Sequence, residues 1–152
     1  MRKRTKRTRV EPRAPMLAVR AGVQKSMLIG EHMAVRAFER GYAGEAQFDL
    51  LMKMANLLLL AGSSEEKRSY TVKYVEEVVF PVLRSVKERY EKTGKMGASG
   101  PELIVMREMI DWNWQFWSRQ PIELYHAAYG ELSAFYKEVE ERRSRDGQRE
   151  VG

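Results

Sequence analysis

The sequence predicts an all-α protein: a compact bundle of about five helices with a flexible basic arm at its N-terminus. Three observations predict it. From Val23 onward, apolar residues recur at steps of three and four, the period of a helix with one buried face. Glycine and proline fall between these stretches, at Gly41 and Gly44, Gly62, Gly94 to Pro101, and Pro121, where helices stop and start. The charge is also unevenly placed. The chain has 27 Lys and Arg against 21 Asp and Glu. Residues 1–13 hold seven of those cations and only Glu11 of the acids, so 20 of each sign remain in the other residues. The arm carries the whole excess of +6.

The elements follow in order. Residues 1–22 hold few large apolar groups, two prolines and Gly22, and form the arm. The first helix begins at Val23, with Met27, Met33 or Ala34, Ala37 and Phe38 on one face, and ends before Gly41. The second runs from Glu45 to Ala61. Its half LLMKMANLLLLAG is apolar nearly all round, broken only by Lys53 and Asn56, so it belongs in the bundle centre or in a homodimer interface. Ser63 and Glu66 have capping-box spacing and open a third helix, Ser64 to Lys92. Its stripe is Val75, Val78, Val79, Val82, Val86 and Tyr90, and Pro81 is expected to kink or divide it. The β-branched residues before the proline leave a strand over 70–80 as the alternative. After GKMGASG, Pro101 opens a fourth helix to about Trp117, capped by Ser99 or Gly100. A fifth runs from Ile122 to about Arg142, with Tyr125, Tyr129, Leu132, Tyr136 and Val139 on one side. The bundle domain is thus 23–143, and 144–152 reads as a charged, fraying tail.

Several function classes are disfavoured. The chain has no cysteine, which removes disulfides, thiolate metal sites and a cysteine nucleophile. No apolar run approaches a membrane span, and no h-region follows the basic start, so neither a membrane partner nor a secretory signal is expected. Glu123 and His126 form a single E-x-x-H pair. A di-iron bundle needs two, with further carboxylates, so no metal site is expected. GKMGASG lacks the G-K-[ST] ending of a phosphate loop, and no strand precedes it. The expectation is a protein that is not an enzyme and takes no cofactor.

Two features suit binding. In RKRTKRTR, cations alternate with threonines, a pattern suited to phosphates. Arg2, Lys3, Arg4, Lys6, Arg7 and Arg9 are the candidate nucleic-acid contacts, to DNA or RNA. In DWNWQFWSR, Ile110, Trp114 and Trp117 share one helix face, while Trp112 and Phe116 share another with Val105 and Met109. Such a helix is apolar on two sides, and Trp112, Phe116 and Met109 are the candidates for a protein interface. A helix-turn-helix made of the first two helices would use Glu45–Ala61 for recognition, a mostly apolar segment with one lysine.

The stretches RKRTKRT and APM, the helix pair around Gly41–Gly44 and Ala55–Leu60, the loop TGKMGASGPEL and the segment WSRQPIEL resemble small helical proteins of bacterial prophages and mobile elements. Some of those are described as Fis-like transcriptional regulators. The resemblance implies a bacterial cytoplasm, an accessory role and no catalytic residues. The leading expectation is a non-enzymatic accessory protein of a mobile element whose arm holds nucleic acid or a nucleoprotein complex. The alternatives are an inhibitor that occludes a surface of a host defence protein, and a sequence-specific transcription regulator. A host or phage protein is the expected protein partner.

Overall fold

A computed structural model describes residues 21–63 and 69–150, with side chains from Ile29 onward. The arm residues Arg2 to Arg9 and Glu66 lie outside the described residues. Ser63 ends the second helix, its hydroxyl donating to the Leu59 carbonyl at 2.6 Å, and the third helix is seen from Tyr70, capped by Ser69 rather than opened at Ser64. The described chain is helical throughout its elements: α1 Ala21–Arg40, α2 Glu45–Ser63, α3 Tyr70–Tyr74, a π-helical turn Val75–Val79, α4 Phe80–Thr93, α5 Gly100–Ser118 and α6 Ile122–Glu150. The segment 70–80 is helix, not strand. Its valines sit on a buried helical face, and packing overrides their β preference.

Helix α2 is the centre. Leu51, Ala55 and Leu58 are fully buried, with Met54, Leu57 and Ala61 beside them. Each leucine contributes about 1.5–3 kcal/mol over its exposed state. All the other long helices pack on α2. The two polar exceptions in α2 have a use. Lys53 Nζ donates to the Tyr129 hydroxyl at 3.5 Å and lies 4.7 Å from that ring's centre, and Asn56 Nδ2 donates to the Tyr136 hydroxyl at 3.2 Å. Both partners are on α6, so these bonds set the register of α6 along α2.

Pro81 does not break the third helix. A proline ring clashes with the carbonyl four residues back and offers no N–H. The chain widens to a π turn just before it, where the Phe80 N–H bonds to the Val75 carbonyl, and α4 then starts with Pro81 in its first turn. The widened turn shifts the buried stripe, which reads Val75, Val79, Leu83, Val86 rather than passing through Val82.

Helix α5 corrects a second expectation. It has one buried stripe, Met106, Met109, Ile110, Asn113, Phe116 and Trp117, not two apolar faces. Met109 and Phe116 are core residues, 1% and 8% exposed, and are therefore not a free protein-facing patch. Trp112 is half-buried, stacked on Tyr74 with ring centres 4.1 Å apart, while Trp114 points outward. The stripe is centred on a polar residue, Asn113, which splits the apolar pattern when it is read by side chain alone.

Helix α6 also runs past its expected end at Arg142, through the charged 144–150 stretch. The i,i+4 pairs Glu138–Arg142 and Glu141–Arg145 support that extension, each by about 0.3–0.5 kcal/mol.

Helices α2 and α3 approach closely at Gly62. A Cβ there would meet Ser69 Oγ and Val72 Cγ2, both at 3.0 Å. Ser69 cannot easily retreat, because its hydroxyl accepts from the Val72 N–H and caps α3. Gly62→Ala is therefore expected to lower stability by about 1 kcal/mol despite alanine's better helix propensity, as read from the denaturant midpoint. A raised midpoint would show that the seam has slack.

Candidate binding surfaces

Two ion pairs and one buried bond organise the site geometry. Arg107 Nε donates to Glu39 Oε1 at 2.7 Å, and Asn113 Nδ2 donates to Glu31 Oε2 at 2.9 Å. The number rises along one helix as it falls along the other, so α1 and α5 are antiparallel. Ala21, where the arm joins the bundle, therefore lies at the end where α5 stops. The opposite end is held by Arg89. Its guanidinium grips both carboxylate oxygens of Glu102, at 2.8 and 3.2 Å, and donates to the Gly97 carbonyl at 3.0 Å.

That second cluster settles what the glycine-rich loop does. Ser99 and Glu102 form a capping box: Glu102 Oε1 accepts from the Ser99 N–H at 2.8 Å, and Ser99 Oγ accepts from the Glu102 N–H. The start of α5 is thus capped by the protein's own carboxylate, where an anion would otherwise have sat. Burial alone would raise the Glu102 pKa. The Arg89 bond, followed by the Ser99 backbone and the Ser85 and Ser99 hydroxyls, outweighs burial and holds it at about 2.

Glu31 is the opposite case. It is 4% exposed, and burial pushes its pKa up to about 7 against the opposing Asn113 bond. Asn113 Oδ1 is buried without a partner among the described residues. Glu31 was legible in principle: it stands three and four residues before Ala34 and Val35, and seven before Phe38, on the core stripe of α1. Glu123 and His126 are exposed on α6, and no group of three His, Asp or Glu gathers among the described residues.

Two concavities open on the surface. The larger, of about 850 Å³, lies between α2, α4 and α6. Phe48, Met52, Phe80 and Phe135 give it an apolar lining, and Asp49, Glu91, Arg84 and Lys87 stand among its charges. It flanks the first half of α2, away from the arm. The smaller, of about 350 Å³, lies beside Trp112 and Arg119. Neither suits α2 as a recognition helix, because α2 is buried in the bundle. No family model, curated protein or solved structure matches the chain, so its surfaces are argued from their own geometry.

Proposed function

We propose that this is a non-enzymatic binding protein, an accessory factor of a bacterial mobile element, working in the cytoplasm. Its arm holds nucleic acid, or a nucleoprotein complex, and its body contacts a protein. The observation that carries the reading is the separation of charge. All of the +6 sits in residues 1–13, on a body that is neutral as a whole. A protein that docks nucleic acid with a folded face usually carries a basic stripe there. Here the body's balance leaves that work to the arm.

The antiparallel α1 and α5 support a two-ended arrangement. Helix α1 has 20 residues and so is about 30 Å long. The arm leaves from one of its ends, and the larger groove lies toward the other. An adapter that holds nucleic acid and a protein at once needs such a separation.

The test uses full-length protein and a variant with Arg2, Lys3, Arg4, Lys6, Arg7 and Arg9 all changed to Gln. Both are titrated with labelled duplex DNA and RNA across a salt series. For about five phosphate contacts, the expected log–log salt slope is near −4.5. Affinity then falls roughly 10²- to 10³-fold from about 50 to 200 mM salt. The Gln variant should lose this binding. Unchanged binding by the variant would overturn the arm's role. No binding by either protein at moderate salt would favour the host-protein inhibitor, which acts by stoichiometric occlusion.

A further inference from the structure

We infer that a second copy of the chain docks at the larger groove, its α6 lying antiparallel to the first copy's α6, so that the two make a symmetric dimer. The inference goes beyond the function proposed above, and its test uses no nucleic acid.

Helix α6 is longer than the body it packs on. Its 29 residues span about 43 Å, against about 28 Å for the 19 of α2. Its buried side chains are Ala128 and Leu132, both in its first half. None of residues 133–150 is buried. Yet the stripe that begins with Ala128 and Leu132 continues at steps of three and four through Phe135, which is 57% exposed, and the half-buried Val139. Beyond that stripe, this half of the helix is supported by i,i+4 ion pairs, each a small term.

The groove lies beside the same stretch. Phe135 and Tyr136 of α6 line it together with Phe48 and Met52 of α2 and Phe80 of α4. One face thus presents both an open apolar groove and an apolar helix stripe. A two-fold axis between copies covers both features at once, since it brings the same face of each copy to the other.

Charge selects the copy over other occupants. The groove's charged lining has three acids, Glu45, Asp49 and Glu91, and three bases, Arg84, Lys87 and Arg143. Residues 133–150 have five of each sign: Lys137 and four arginines against four glutamates and Asp146. Both surfaces are neutral with the two signs interspersed. A polyanion, or the arm with its excess of +6, would set like charge against half of the lining.

The charges also set the direction. Parallel helices would put Arg142 level with Arg142 and Asp146 level with Asp146 along the extended stripe. Antiparallel helices with Phe135 opposite Val139 avoid this. Glu131, Glu138 and Arg145 follow at seven-residue steps on one flank, so reversal puts Glu131 level with Arg145 of the other copy. Glu138, next to the axis, is already paired with its own Arg142. A dimer built this way carries two arms, and each raises the local concentration of the other on one nucleic acid.

Sedimentation equilibrium of the full-length protein across about 1–100 μM is expected to show monomer and dimer in exchange. Phe135→Glu should weaken the association at least about thirtyfold, the loss for a central apolar anchor. Phe135 is exposed, so circular dichroism of this variant should match wild type; Val139→Glu serves in its place if it does not. The chain has no cysteine, so Lys137→Cys and Ser144→Cys each carry a single spin label, one heptad apart on the outer face of α6. In an antiparallel dimer the label pair at 144 is offset by about 21 Å along the helices, whereas the pair at 137 is nearly level. The measured distance should therefore be longer at 144. A wild-type protein that stays monomeric throughout overturns the inference and leaves the groove to a different protein. So does a dimer that neither acidic variant weakens, which would place the contact elsewhere, or equal distances at the two labels, which would make the helices parallel. All of these results leave the arm's role standing, and failure of the arm in the salt series leaves the dimer standing.

Discussion

Glu31→Gln should make the protein more stable than wild type at pH 8 and no different at pH 5. Glu31 is buried, with its pKa raised from the ordinary 4.5 to about 7. Between those values the folded protein keeps a proton that the unfolded chain has released. Stability from this group is therefore complete below about pH 4.5 and is lost as pH rises through about 7. The loss is about 1.4 kcal/mol per unit, on the order of 3 kcal/mol in total. The hydrogen bonds give the same direction. Asn113 Nδ2 donates to one Glu31 oxygen, while Asn113 Oδ1 is buried with no partner among the described residues. A protonated Glu31 can return a bond to it, and an ionised one cannot. Glutamine has both a donor and an acceptor in the same shape, at any pH. Tyr125 of α6 is near enough for the Glu31 charge to add to the rise in its own pKa, behind burial and Tyr129. Denaturant melts of both proteins from pH 4 to 9 read the difference. A wild-type stability that is flat over this range would show that Glu31 is solvated. Glu31→Ala should destabilise at every pH, since it leaves the Asn113 amide buried with no partner.

The second large effect lies on the acid side. Glu102 has a folded pKa of about 2, below its ordinary 4.5. Here the unfolded chain takes up a proton first as pH falls. The stability Glu102 contributes is present above about 4.5 and is lost as pH drops through about 2, again by about 3 kcal/mol at most. Taken with Glu31, the wild-type optimum should fall near pH 4.5–5. Glu102→Ala should cost about 2–3 kcal/mol at pH 7. It removes the capping box, worth about 1 kcal/mol, and the forked pair with Arg89. The pair is discounted because the Arg89 side chain is 40% exposed. Thermal melts at pH 7 and pH 3 check it: the gap between wild type and variant should narrow at pH 3. A gap that stays constant would assign the loss to the cap alone, with no contribution from the charge.

Both carboxylates lie in one chain and both are at least nine-tenths buried, yet they titrate in opposite directions. Nothing in the local sequence of Glu31 or Glu102 dictates this. Glu102 meets a guanidinium from α4 and a backbone donor of its own cap; among the described residues, Glu31 meets only an amide from α5. The partner on the facing helix decides the sign.

The same division holds for the fold. Helix class, helix count and the burial of α2 were written in the chain, because periodicity and the Gly and Pro stops act over a few neighbouring residues; that α2 is buried at the bundle centre is seen only in the fold. A cap at Ser99 or Gly100 was legible for the same reason, and the structure places it at Ser99. Whether a given face is core depends on what stands opposite, and that was not legible. Met109 and Phe116 could be read as a free patch until α5 was seen to bury one stripe centred on Asn113. The π turn before Pro81 shifts the buried stripe off the regular helical period, so a period read along the chain passes through Val82 where the structure buries Leu83. The arm's charge is a property of the sequence alone. That the arm joins the bundle at the end where α5 stops, and away from the larger groove, is a property of the antiparallel α1 and α5, whose contacts join residues 68 and 82 positions apart.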